Sequence, residues 1–176
     1  MDAPTAFRRQ LLAAIPRLRR YARSLVFDPS QADDLTQSTL ERALTHWHQF
    51  DQRRDMLVWL LSIAHNAHLD LRRRESRMTV TDPDDLQVAQ DRLGGDPGTD
   101  VGLRLDLLAA LRRLSPEQRE PLLLVCVEQL TYAEVAEVMH IPVGTVMSRV
   151  CRARAALREF LEGGERDSSP TLRRVV

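Results

Sequence analysis

The sequence predicts an all-α fold of two small helical domains joined by a flexible acidic linker. Apolar residues recur at spacings of three and four along most of the chain, and no segment alternates with the period of a strand. Glycine, 7 residues in 176, is sparse outside Gly94-Gly95 and the C-terminal end. From Glu75 to about Gly102 the periodicity disappears. Asp82-Pro83, Gly94-Gly95 and Asp96-Pro97-Gly98 punctuate that stretch, and Asp84, Asp85, Asp91 and Asp100 make it acidic. A structureless loop of this length is unusual inside a compact domain. The chain therefore divides into a first domain over 1–76, a linker over 77–102, a second domain over 103–162 and a disordered tail over 163–176. The linker is either a tether or an acidic strand laid into a basic channel of a partner.

In the first helix Phe7, Leu11, Ile15, Leu18, Ala22 and Leu25 form one apolar stripe, with Pro16 a kink rather than a stop. Phe27-Asp28-Pro29-Ser30 turns the chain. The second helix, Gln31 to Trp47, faces Leu35, Thr39, Leu40 and Ala43 inward and keeps Asp33, Asp34, Gln37, Glu41 and Arg42 in water. Its early acids suit the helix dipole. Phe50 to Asp55 is a short polar loop. The third helix, about Met56 to Arg74, buries Met56, Leu60, Ile63, Ala67 and Leu71, sets Trp59 beside them and turns Asn66, Leu69 and Arg73 to the other side.

The second domain opens with a helix from Leu103 to Leu114. Ser115-Pro116-Glu117-Gln118 then has the form of a capping box with proline at the first helical position, and starts a helix carrying Leu122, Leu123, Leu124, Val125 and Val127. Pro121 lacks a backbone donor and should bend or delay that helix. Thr131 caps a short helix with Val135, Val138 and Met139 on its apolar side and small Ala136 where a crossing helix can come close. His140-Ile141-Pro142 breaks it, and Pro142 can open the next helix, which makes the corner of a helix-turn-helix.

That last helix keeps Val146, Val150, Ala153 and Leu157 on one stripe. Ser148, Cys151, Arg152 and Ala155 fall opposite, with Arg149, Arg154 and Arg158 on the flanks. A helix lying in a major groove needs this order: short and forked donors for base edges at its centre, arginines beside them for phosphates.

Charge balances, 25 basic against 25 acidic residues, but it is segregated. Arginines crowd Arg17 to Arg23, Arg72 to Arg77 and Arg149 to Arg158, while acids crowd Asp82 to Asp100. Two cysteines, Cys126 and Cys151, make no disulfide framework, no signal pattern precedes the first helix, and the longest apolar run, Met56 to Ala64, is too short for a bilayer. These features read as a cytoplasmic protein without membrane insertion. An enzyme finds little support: there is no glycine-rich phosphate loop and no nucleophile motif. His65 with His68, or His46 with His48, could suggest a metal, but neither pair has cysteines nearby, and no metal or other cofactor is expected. Cys151, on the outer face of the recognition helix, could alter DNA binding if oxidised.

Three stretches in this order resemble an extracytoplasmic-function (ECF) sigma factor of bacterial RNA polymerase. They are Ala32-Asp33-Asp34-Leu35-Thr36-Gln37; Trp59 to Asn66 with Asp70-Leu71-Arg72-Arg73; and Ile141 to Val146 through Ser148-Arg149 and Arg152-Ala153-Arg154. The resemblance implies that the first domain is sigma region 2, melting and reading the -10 element, and the second is region 4, reading the -35 element as duplex. It implies that Asn66 and the loop from Phe50 receive a flipped base, and that Arg72 and Arg73 hold phosphates. Ser148, Cys151 and Arg152 would point into the major groove, with Thr145, Arg149 and Arg154 on the backbone. Asp33, Asp34, Leu35 and Gln37 map to the surface that docks on the β′ clamp helices, or, for the acids, are simply solvated. The helix from Pro116 would support the β flap. No stable homo-oligomer is expected.

Two residues depart from the family's pattern. Met147 stands where lysine or arginine is usual, and His140 where the corner usually has glycine, which asks histidine to adopt a left-handed conformation. Ile15 to Leu25, followed by Ala32-Asp33-Asp34-Leu35, also resembles the general stress-response subgroup. That resemblance implies a small anti-sigma factor, removed by a sigma-mimicking response regulator. A sigma-like decoy would be expected to carry a receiver domain and to lack the recognition-helix arginines. A dimeric helix-turn-helix repressor would leave Trp59 to Arg73 unexplained.

Overall fold

The computed structural model describes residues 3–78 and 101–167. The acidic linker lies almost wholly outside the described residues, as does the tail beyond Asp167. The described chain is all-α. Helix α1 is Thr5–Val26, α2 Pro29–Thr45, α3 Met56–Met78, α4 Val101–Arg113, α5 Pro116–Cys126, α6 Tyr132–Met139 and α7 Val143–Asp167, with a single 3-10 turn at Trp47–Gln49. Among the described residues no helix is long and apolar enough to cross a membrane.

Helix α1 runs through Pro16. The carbonyl that Pro16 leaves without a donor belongs to Leu12, which is 65% exposed, so water can take that place. Phe27, left-handed at φ 57°, ends the helix. Asp28 caps α2 by accepting from Gln31 N at 2.8 Å, and Pro29 occupies the first position. The dipole of α2 is therefore met by Asp28; Asp33 and Asp34 lie beyond the first turn, contrary to expectation. Asp55 starts α3, its Oδ1 accepting from Leu57 N at 2.6 Å and Val58 N at 3.3 Å.

Helix α3 is buried over more of its surface than one stripe. Leu57, Val58, Leu61, Ala64, His65 and His68 are interior as well as Met56, Leu60 and Ala67, while Ile63 and Leu71 are half-buried. It packs on α1 and α2 on one side and on α6 on another, so two apolar faces are needed.

The capping box expected at Ser115 does not form: the Ser115 side chain caps nothing. Gln118 N bonds instead to the Ser115 carbonyl at 3.0 Å, taking the donor that the hydroxyl would have used. The box is found one helix later. Thr131 Oγ1 accepts from Glu134 N at 3.3 Å and Thr131 N donates to Glu134 Oε2 at 2.8 Å. Pro121 neither delays nor ends α5, and Gly163-Gly164 do not end α7. Phe160 packs on the core under the Arg113 guanidinium, 5.1 Å from its ring centroid, and anchors α7 just before the glycines. His140 does take the left-handed corner, at φ 53°.

Leu18, Tyr21, Leu25, Leu60 and Leu61 fill the first domain, and Leu124, Val135, Val138, Val146 and Val150 the second. Each such side chain contributes about 1.5–3 kcal/mol on burial. The two domains then pack on each other, α1 against α5 and α3 against α6, into one continuous core.

Candidate nucleic-acid interface

The helix-turn-helix supplies the first surface. Val146, Val150 and Ala153 of α7 are 0%, 1% and 0% exposed, seated on α5 and α6, which turns Ser148, Cys151, Arg152 and Ala155 outward. Arg152 is held in place along the helix: Nε donates to the Ser148 carbonyl at 3.2 Å, and Nη2 reaches Ser148 Oγ at 3.5 Å. Ser148 Oγ in turn donates to the Thr145 carbonyl at 3.0 Å. The flanking arginines lean toward α5. Arg149 Nη2 lies 3.2 Å from Glu117 Oε2, and Arg154 Nη2 lies 3.9 Å from Cys126 Sγ, a contact that raises the Arg154 pKa. Thr145 is half-buried at the start of the helix.

A second surface lies on α3. Asn66 is exposed, one and two turns beyond half-buried Ser62 and Trp59. Phe50 is not an open wall there: at 8% exposed it packs edge-on to Phe7, at 5.8 Å, and tilted against Trp59, at 5.1 Å. Trp59 is the aromatic left partly in solvent. Arg72 and Arg73, both exposed, act on different neighbours. Arg73 Nη1 is 4.0 Å from Asp70, which also faces Arg42 at 3.6 Å, whereas the charge of Arg72 bears on His68 and Arg119 at the domain boundary.

On α2, Asp33, Asp34 and Gln37 are exposed; Asp33 meets Arg19 at 3.5 Å and Gln37 Nε2 donates to Glu41 at 2.9 Å. Leu35 is 4% exposed and points into the core, so it holds α2 in place rather than facing a partner.

The set that the sequence reading missed joins the domains. Glu120 Oε1, on α5, accepts from the Tyr21 hydroxyl at 2.6 Å and from His65 Nδ1 at 2.6 Å, and all three residues are buried. Burial, with Glu120 close by, pushes the Tyr21 hydroxyl well above its ordinary pKa. Glu128 is 0% exposed and accepts from Arg17 Nε at 3.0 Å, Arg20 Nε at 2.9 Å and Arg20 Nη2 at 3.0 Å. Arg54 pairs with Glu137 of α6. Beside them His68 is buried with neither ring nitrogen hydrogen-bonded, and burial lowers its pKa to about 4. Arg119 lies over the Phe27 ring, 4.7 Å from the centroid, and Arg112 over the same ring at 5.3 Å. A signal was present: Glu120 and Glu128 bracket the apolar run Pro121 to Val127, where a charge must find a partner or leave the core. Among the described residues no three His, Cys, Asp or Glu side chains converge as a metal-binding set.

Family models match both domains: residues 104–157 fit "Sigma-70, region 4" and residues 11–65 fit "Sigma2 domain of PhyR". Over 181 aligned residues the chain is 36% identical to the ECF RNA polymerase sigma factor EcfG of Rhodopseudomonas palustris, covering 100% of this chain and 98% of that protein. The chain belongs to the ECF sigma factors. The sigma factor is also 37% identical to SigC of Mycobacterium tuberculosis, over 74% of this chain and 70% of SigC. Its fold matches the sigma factor RpoE solved in complex with the anti-sigma factor NepR from Bartonella quintana, at a TM-score of 0.78 and 31% identity over 90% of this chain and 98% of RpoE. As an ECF sigma factor it directs RNA polymerase to promoter DNA and is not itself an enzyme.

Proposed function

We propose that this sigma factor reads the -35 element with α7 and the melted -10 element with α3. The observation that carries the reading is the sidedness of α7: Val146, Val150 and Ala153 are buried, and Ser148, Cys151 and Arg152 are exposed on the opposite face. Thr145, Arg149 and Arg154 would then steady the backbone, the last two by exchanging their contacts with Glu117 and Cys126 for phosphates. On α3, Asn66 would hydrogen-bond a flipped base against Trp59, with Phe50 packed behind it, while Arg73, and Arg72 once the domains part, hold the strand.

Docking on the β′ clamp helices falls to Asp33, Asp34 and Gln37, which Leu35 positions from beneath, and α5 supports the β flap. The protein would act where the polymerase acts, in the cytoplasm. Control by a small anti-sigma factor is proposed on the likeness to RpoE, whose solved structure is a complex with one.

The deciding experiment adds the purified chain to core RNA polymerase and maps transcription starts on genomic fragments. Starts at fixed sites, weakened by both Asn66→Ala and Arg152→Ala, are expected. Tight binding to core without initiation would favour a decoy, the second reading, which draws on the match of residues 11–65 to the PhyR sigma2 domain. Absence of binding to core would refute the promoter-reading proposal.

A further inference from the structure

Large apolar side chains left in water are few: five are exposed among the described residues, and two of them, Val143 at 40% and Met147 at 51%, stand four residues apart at the start of α7. Four residues is about one helical turn, so the two share a face, and exposed Cys151 continues the row. Neither supports the fold, whose inward stripe on this helix is Val146, Val150 and Ala153. The row runs directly beside Ser148 and the tethered Arg152, with Arg149 and Arg154 on the flanks.

An apolar row framed by cations does not suit an apolar groove on another protein. It suits the major groove of duplex DNA, where phosphates line both rims and the floor carries one apolar group, the 5-methyl of thymine. Met147 has no donor with which to read guanine or a phosphate. Its unbranched, polarizable thioether is suited to close over a methyl, and Val143 one turn back shields it from water.

We propose that Met147, backed by Val143, reads a thymine methyl in the -35 duplex and sets the base preference at that position. The inference rests on the reading of α7 as the -35 helix.

The test uses the full chain with core polymerase and a promoter fragment recovered from the mapped start sites. Each thymine of the upstream duplex is replaced in turn by deoxyuridine, which removes the methyl and nothing else. Loss of one buried methyl is expected to weaken binding about fourfold at one or two positions. Met147→Ala should bind the unmodified fragment more weakly and lose that sensitivity, and Met147→Arg should move the preference there from thymine to guanine. Both variants sit on the surface and should melt like the parent. If the parent binds the fragment and no deoxyuridine matters, or Met147→Ala stays as sensitive as the parent, the methyl reading is overturned while the -35 reading stands. If binding is unaffected by the upstream duplex altogether, both fall.

Discussion

Replacing Glu128 with alanine should loosen the two domains without harming either one. Its carboxylate is 0% exposed and accepts three hydrogen bonds from Arg17 and Arg20, across the boundary between α1 and the turn that joins α5 to α6. Removing one partner of a fully buried ion pair costs about 3–5 kcal/mol, because the other charge is left stranded. Here the stranded charges can escape: the Arg17 and Arg20 side chains are 43% and 53% exposed and would return to water. That moves the expected loss below the buried-pair range and above the exposed-pair limit of about 1 kcal/mol. About 2 kcal/mol is the result, roughly a thirtyfold shift in the ratio of closed to open molecules. Energy transfer between dyes on exposed Ser30 and Arg158, in a background where Cys126 and Cys151 are replaced, would read that ratio directly. Glu128→Ala should lower transfer at unchanged helical content, and adding Arg17→Ala and Arg20→Ala should produce a smaller further change, since the carboxylate they share is already gone and only their bonds to the backbone carbonyls of Glu128 and Val127 remain. Equal transfer in parent and variant would refute the argument that this carboxylate holds the domains together.

Other consequences can be measured alongside. His68 has a folded pKa of about 4, below its ordinary 6.5, because burial, Arg72, Arg119 and His65 oppose its charge more than Glu120 favours it. As pH falls the unfolded chain therefore binds the proton first. Stability is intact above about 6.5 and is lost toward 4 at about 1.4 kcal/mol per pH unit, so urea midpoints of the parent should drop between pH 7 and pH 5 more steeply than those of His68→Leu, and equal slopes would contradict the assignment. Thr131→Ala removes the capping box of α6 and should cost about 1 kcal/mol by denaturation, with no loss at all arguing against the box. A Cβ added at Gly144 meets nothing within 4 Å, so Gly144→Ala should leave stability unchanged or raise it by up to about 1 kcal/mol. Weaker promoter binding by that stable variant would show that DNA backbone comes close to the start of α7, and a destabilised variant would contradict the open space seen there.

Much of the sidedness of α7 was legible because it is local. Spacings of three and four along Val146, Val150 and Ala153 determine which side of α7 is buried, whatever it is buried against, and so place Ser148 and Arg152 outside. The same holds for Thr131 as a cap and for His140 at the corner, where a break between two periodic segments leaves few conformations. Local reading failed where two devices compete for the same backbone donor. Ser115 has the letters of a capping box, but its own carbonyl takes the Gln118 donor and the box is formed at Thr131 and Glu134 instead.

What only the tertiary structure decided is how faces pair. Phe50 sits beside polar residues in sequence and turns inward because the turn before α3 closes over α1. Tyr21 and Glu120 are 99 residues apart and His65 and Glu120 are 55 apart, and no periodicity within one helix states which distant acid a buried hydroxyl or imidazole will meet. A repeat of three or four residues encodes burial of a face. The partner of that face is chosen by shape and charge summed over the whole assembly, and for Glu120 and Glu128 that choice is what joins the two domains.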